Sequence, residues 1–190
     1  MSTDEFKTRL DKMKADYYSK NKPSIFNKKQ KDECAKSIAI NCPLPYLLNN
    51  TAYILNNTNK VYFDYTVFKT YATCENFPHI VNHIKQLNIQ AIQMYGSFEI
   101  HINWATYTIS AHERYKDIFR LFSLAHTDDC RYDFSALLTR FNVYNTPAIM
   151  NIISTFITPL IDPIVISKIH LHDKVVSEPI IRMLLDNKTV

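Results

Sequence analysis

The stretch between Arg140 and Asp162 contains no charged residue. Within it, residues 147–160 have the pattern of a helix whose polar positions, Asn, Ser and Thr, are all neutral. At ~1.5 Å per residue this helix would be ~21 Å long, shorter than the ~30 Å core of a bilayer. A helix on a protein surface normally carries charge on its wet face. The segment is therefore expected either to be buried on nearly all sides or to meet something apolar, such as lipid.

Strand patterns and helix patterns alternate from residue 60 onward. The residues predicted as strands are 61–67, 98–104, 137–143 and 168–172, with 89–95 as a further short strand or the approach to one. Apolar residues at helical spacing predict the helices between them. Ser110 and Glu113 form a capping box for one helix, and Ser177 is expected to cap the last. This alternation indicates an α/β domain whose mostly parallel sheet is flanked by helices.

A short helical segment is predicted ahead of this domain. Residues 3–19 carry Phe6 and Leu10 on one helical stripe, and a second short helix is expected near 29–40. We therefore divide the chain into a helical, basic N-terminal segment, 1–50, and the α/β domain, 51–190.

The net charge of +4 is concentrated at the N-terminus. Five lysines follow one another there without an intervening acid: Lys20, Lys22, Lys28, Lys29 and Lys31. One interpretation is a solvated, mobile basic segment. The other is a membrane-docking segment, since each basic residue near an anionic lipid surface contributes ~1 kcal/mol. Nucleic acid is not expected as a partner, because Phe26 alone provides an aromatic ring in this run.

The motifs of most nucleotide-dependent enzymes and hydrolases are missing. One glycine, Gly96, cannot build a phosphate-binding loop or a nucleophile elbow. His79 and His83 share a helix face, and His170 and His172 share a strand face, but neither pair has an evident third metal ligand. A cysteine–histidine nucleophile remains an open alternative, since such partners need not be close in sequence. We expect no enzymatic activity, no metal and no cofactor.

The cysteines are widely spaced and the first residues are charged. Neither a disulfide framework nor a signal peptide is indicated, which favours the cytosol. The abundance of Ile and Asn beside a single glycine is typical of an AT-rich genome, such as that of a large DNA virus or a protist.

Several short motifs occur in the order and at the spacing of a known lipid-binding family. A strand ending in Asn-Thr-Pro at 145–147 is followed by the apolar helix, by Thr-Pro-Leu-Ile-Asp-Pro at 158–163, and by Ser-Lys-Ile-His-Leu at 167–171. Upstream, 99–103 reads Glu-Ile-His-Ile-Asn. Over residues 60–172 the chain resembles the CRAL-TRIO domains, which include phosphatidylinositol-transfer proteins. Asn103 stands where that family usually has Asp, and Thr158 where it has Lys.

The resemblance implies a lipid cavity that is roofed by a mobile gate helix. The gate residues expected to contact the lipid are Ile149, Ile153, Phe156 and Leu160. Lys168 matches the family lysine that lies near the head group of the lipid, and a compact cation suits a phosphate.

These observations predict a cytoplasmic, peripheral membrane protein that binds or transfers a phospholipid or similar hydrophobic ligand and docks transiently on an anionic membrane surface. The alternative is a CRAL-TRIO-like scaffold with a collapsed pocket and a protein partner.

Overall fold

The computed structural model of this chain describes residues 3–21, 27–127, 131–148, 150, 154–155 and 158–186. Three helices come first, and strands separated by helices follow. The first half contains α1 (Thr3–Lys20), α2 (Asn27–Asn41), α3 (Leu44–Thr51), β1 (Ala52–Ile54), β2 (Lys60–Asp64), α4 (Tyr65–Tyr71) and α5 (Phe77–Tyr95). The second half contains β3 (Phe98–Asn103), α6 (Ile109–Thr127), α7 (Phe134–Leu137), β4 (Leu138–Tyr144), a 3-10 turn (Thr158–Leu160), α8 (Pro163–Ile166), β5 (Ile169–Leu171) and α9 (Lys174–Asp186).

The five strands form one sheet in the order β1-β2-β3-β4-β5. β1 is antiparallel to β2, and the other three pairs are parallel. Each parallel step moves to the next strand, so right-handed crossovers bring α4 to α8 onto one face, which we call the front face. α9 packs on the opposite, back face, where Leu184 joins Tyr62 and Tyr144 in a small core. The predicted α/β class, with a mostly parallel sheet flanked by helices, is confirmed.

The N-terminal helices share a core with the front face. Phe6 and Leu10 of α1 and Ile38 of α2 are buried in one cluster with Tyr65 and Phe68 of α4. Ion pairs also hold these helices against the rest of the chain. Lys7 Nζ lies 2.7 Å from the buried Asp64 carboxylate, and Arg114 Nε lies 2.7 Å from Asp32. The described residues before β1 thus form helices, and these helices pack directly on the α/β part.

Two strand predictions were wrong in part. Residues 65–67 belong to α4, because the Asp64 carboxylate accepts the Thr66 N–H at 2.8 Å and starts a helix there. Residues 89–95 continue α5, which ends only at Gly96, whose φ of 75° provides the left-handed cap. The apolar residues of this stretch fit a helical period as well as a strand run, and the helix buries Ile89 and Ile92.

Two predicted helix caps are also wrong. The Thr108 hydroxyl accepts the Ala111 N–H at 3.2 Å, while Glu113 contacts Lys116 instead of closing a box with Ser110. For α9, the Asp173 carboxylate accepts the Val176 N–H at 3.0 Å. Ser177 lies inside that helix, fully buried. In both cases the cap lies upstream, since a side chain that starts a helix must precede its first turn.

Candidate ligand cavity

The front face of the sheet is apolar across three parallel strands. The register aligns Val61, Ile100 and Phe141 in one row, and Phe63, Ile102 and Val143 in the next. Because side chains alternate between the faces of a strand, polar residues between these positions point to the back. The front face thus presents two continuous rows of aliphatic and aromatic side chains.

Helices and a turn enclose this face. α6 contributes residues at helical spacing, Tyr115, Ile118, Phe119 and Phe122. Trp104 and Tyr107, in the turn after β3, stack on each other with ring centroids 4.6 Å apart. Burial raises the pKa of the Tyr115 phenol to about 12. The Tyr115 phenol is therefore neutral at physiological pH.

A cavity of about 600 Å³ lies between the front face and these helices. Its floor includes Ile100 and Ile102, which are only half-buried although β3 is the central strand of the sheet. In a solid core, side chains at this place would be fully enclosed. Their partial exposure reflects the hollow above them. The volume falls within the ~300–1,000 Å³ that small-molecule sites occupy.

The two charged residues of the described lining lie at the starts of α7 and α8, which contact each other. Asp133 caps α7 by accepting the Ala136 N–H at 3.0 Å, and Asp162 caps α8 by accepting the Ile164 N–H at 2.8 Å. This Ile164 N–H and the Ser135 hydroxyl hold the pKa of Asp162 below its usual range. Both aspartates are solvent-exposed and both line the cavity. The cavity therefore has an apolar body and an acidic, hydrated end.

The predicted gate lies largely beyond what the structure describes. Ile149, Ile153 and Phe156 are outside the described residues, and Leu160 belongs to the 3-10 turn without a described side chain. The flanking residues Met150 and Ile161 do line the cavity. The assignment of the four gate residues stays a prediction.

Lys168 lies near the acidic end, where its ammonium group is held by the backbone. Nζ donates to the carbonyl oxygens of Ser135 at 2.7 Å, Ala136 at 3.2 Å and Leu138 at 2.5 Å. An ammonium group has three N–H donors, so these three bonds use all of them. The head-group role stays a prediction, and a phosphate would have to displace one of these carbonyls.

The predicted docking lysines flank the junction between α1 and α2. Lys20, Lys29 and Lys31 are exposed, whereas Lys22 and the side chain of Lys28 lie outside the described residues. No helix within the described ranges is long and apolar enough to cross a membrane.

The aromatic residues that line the cavity between positions 104 and 122 were not predicted as part of the site: Trp104, Tyr107, Tyr115, Phe119 and Phe122. A sequence signal for the α6 residues was present, because they repeat at helical spacing. The same spacing is typical of a helix that packs on a solid core, so it did not indicate a cavity. Trp104, within the predicted strand 98–104, also lines the cavity.

Two of the histidines considered as metal ligands contact other groups in the described parts of the chain. His83 Nε2 lies 3.0 Å from the Ala52 carbonyl oxygen, and His172 Nε2 lies 3.0 Å from the Asn142 side-chain oxygen. No group of three potential metal ligands occurs among the described residues. Burial raises the pKa of the Cys34 and Cys42 thiols, which disfavours a reactive thiolate.

Comparison with known proteins does not assign the chain to a family. No protein-family model matches it, and the search of curated proteins gives no significant match.

Proposed function

We propose that this chain is a non-enzymatic lipid carrier of the cytoplasm with a CRAL-TRIO-like arrangement. It binds or transfers one phospholipid or similar hydrophobic ligand and docks transiently on anionic membranes. The observation that carries the proposal is the apolar cavity of about 600 Å³ over the front face. Each buried methylene contributes ~0.8 kcal/mol, so ten of them contribute ~8 kcal/mol before the cost of ordering the ligand.

The segments that resemble CRAL-TRIO motifs lie at junctions beside the cavity, which supports the proposal. Asn145 follows β4 directly and adopts a left-handed φ of 53°. Its side chain donates to the Asn103 oxygen at 2.8 Å, and its backbone N–H donates to the Ser177 hydroxyl at 2.8 Å. The chain is thus anchored at Asn145, directly before the segment that carries the proposed ligand-contacting residues Ile149, Ile153, Phe156 and Leu160.

Native mass spectrometry of the full chain purified from cells tests the proposal. The expected result is an adduct of lipid mass that dissociates on collisional activation and is replaced when an excess of another lipid is added. The replacement separates a bound ligand from a covalent modification.

The competing function is a protein-interaction scaffold. A chain that emerges without adduct, and that takes up no lipid from vesicles in a transfer assay, would overturn the carrier proposal. The Ile102→Phe variant described below is the matched control, because it changes the cavity floor and leaves the surface of the domain intact.

A further inference from the structure

The charge of the cavity lining has one sign. Among the described lining residues, Asp133 and Asp162 are charged, and no lysine, arginine or histidine is present. Each carboxylate accepts a backbone N–H, and the Lys168 charge also acts on Asp162 from outside the lining. Because one nearby cation stands against two carboxylates, a ligand with a negative head group would meet a net negative charge at this edge.

The two carboxylates mark the end at which a head group would lie. α7 and α8 contact each other, and the Ser135 hydroxyl helps to lower the pKa of Asp162, so Asp133 and Asp162 belong to one edge. The remaining lining is largely apolar, so the tail of an amphiphile belongs in the body of the cavity and its polar group at this edge. The nearby Lys168 ammonium does not line the cavity and is occupied by three carbonyls.

The volume limits the size of the tail. An apolar protein cavity of ~150 Å³ accommodates one benzene ring, which corresponds to ~25 Å³ per carbon. At that density the cavity of about 600 Å³ holds roughly 24 carbons. One long acyl chain with a small head group fits this space. The two tails of an ordinary diacyl lipid exceed it.

From the negative charge of the lining residues and the volume of the cavity together, we infer that the ligand is a single-chain lipid whose head group carries no net negative charge. Monoacylglycerols, long-chain alcohols and long-chain amines share this chemistry. The inference rests on the proposed function and narrows its ligand class away from phosphatidylinositol and free fatty acids.

Three lipids with the same oleoyl chain test the head-group charge and the number of acyl chains separately: monoolein, oleate and diolein. The chain has one tryptophan, and Trp104 lines the cavity, so tails brominated at the double bond report entry by quenching its fluorescence. Brominated monoolein is expected to bind at least tenfold more tightly than brominated oleate at pH 8, and at least tenfold more tightly than brominated diolein. Oleate binding as tightly as monoolein would overturn the charge argument, and diolein doing so would overturn the single-chain argument. Quenching by none of the three would overturn the proposed function itself.

Substitution of the aspartates tests where the charge acts. In Asp133→Asn/Asp162→Asn, the caps of α7 and α8 are preserved, because Asn is as good an N-cap as Asp. The variant should raise the affinity for oleate relative to monoolein at least fivefold. Asp173→Asn is the matched control, since Asp173 caps α9 in the same way but does not line the cavity. An unchanged ratio in the double variant, or an equal rise in the control, would contradict the inference.

Discussion

Nδ1 of His101 lies 2.9 Å from the hydroxyl oxygen of Tyr144, and the two rings stack across neighbouring strands with an interplanar angle of 17°. Nε2 of the same histidine lies 3.0 Å from the Glu99 carboxylate. Tyr144 in turn stacks on His172, with ring centroids 5.0 Å apart. On these strands the back face carries bonded polar side chains beside the small core under α9, whereas the front face is apolar and hollow. The two faces of one sheet thus separate a structural layer from a binding surface.

The polar layer predicts a pH dependence of stability. Burial lowers the pKa of His101, Glu99 opposes this, and the charges of Lys60 and Arg140 add to the lowering. The unfolded chain, with a histidine pKa of ~6.5, then binds more protons than the folded chain, so the free energy of unfolding falls as the pH drops through that value. The melting temperature should decrease from pH 7.5 to pH 5.5.

His101→Gln should make this decrease shallower without abolishing it. Burial also lowers the pKa of His112 and of His172, so these two residues retain part of the slope. Glu99→Gln should make it steeper, because it removes the group that favours the protonated ring. Thermal melts of the three chains at four pH values provide the comparison. A slope unaffected by His101→Gln would show that the ring is not the titrating group.

The hollow of the front face predicts that a larger side chain on its floor is tolerated. Ile102→Phe adds volume where empty space exists, so stability should stay equal or rise by about 0.5–1 kcal/mol. Lipid binding should fall at least tenfold. Leu171→Phe is the control, since Leu171 continues the Val143 row but is 50% exposed and does not line the cavity. Denaturant melts and native mass spectra measure the two effects.

A marked loss of stability in Ile102→Phe would mean that the floor is already filled. Equal losses of lipid binding in both variants would place the ligand elsewhere on the protein.

The sequence predicted β2 to β5, because these strands carry their own patterns, but it did not predict β1 (Ala52–Ile54). The segments near 61, 98, 138 and 169 all became strands, since short apolar runs bounded by turns have few alternatives in an α/β chain. The stretch 89–95 was ambiguous by composition and was decided by Gly96, whose position permits a left-handed helix cap. Sequence patterns therefore predicted an element correctly where the period of its apolar residues and the turn or cap residues at its ends indicated the same structure.

The sequence did not predict the cavity as well as it predicted the strands. A row such as Val61, Ile100 and Phe141 is apolar both over a solid core and over a void, so the residues alone do not distinguish them. Whether a void remains depends on how far α6 stands from the sheet, and that distance results from packing across the whole domain. Lys168 illustrates the same limit, because its carbonyl partners come from α7 and β4 by tertiary contact.

The three bonds of Lys168 predict a structural effect. Lys168→Met keeps the length of the side chain but leaves the carbonyls of Ser135 and Leu138 without this donor, which should lower the free energy of unfolding by about 1–2 kcal/mol. Lys174→Met, at the exposed start of α9, is the control and should change it by less than about 0.5 kcal/mol. Urea melts measure both.

The same pair of variants tests the head-group role. With the ammonium held by carbonyls and its charge acting on Asp162, Lys168→Met should change the ratio of monoolein to oleate binding less than the aspartate double variant does. A selective loss of the anionic lipid larger than that would instead support a direct contact between Lys168 and a head group.

The basic junction of α1 and α2 predicts binding to anionic membranes. In Lys20→Glu/Lys29→Glu/Lys31→Glu, three exposed cations become anions. Since each basic residue near the lipid contributes ~1 kcal/mol, partition onto vesicles rich in phosphatidylserine should fall more than tenfold. The control reverses three lysines outside the segment, namely Lys12, Lys116 and Lys174.

Salt and lipid composition distinguish docking from general charge attraction. Partition of the unsubstituted chain should weaken as the salt concentration rises from 0.1 M to 1 M, because the screening length falls from ~10 Å to ~3 Å. The control should lose clearly less partition than the variant at 0.1 M, although both change the net charge equally. Vesicle co-sedimentation gives each value. If the two triple variants lose partition equally, the net charge of the protein drives association and Lys20, Lys29 and Lys31 do not form a docking segment.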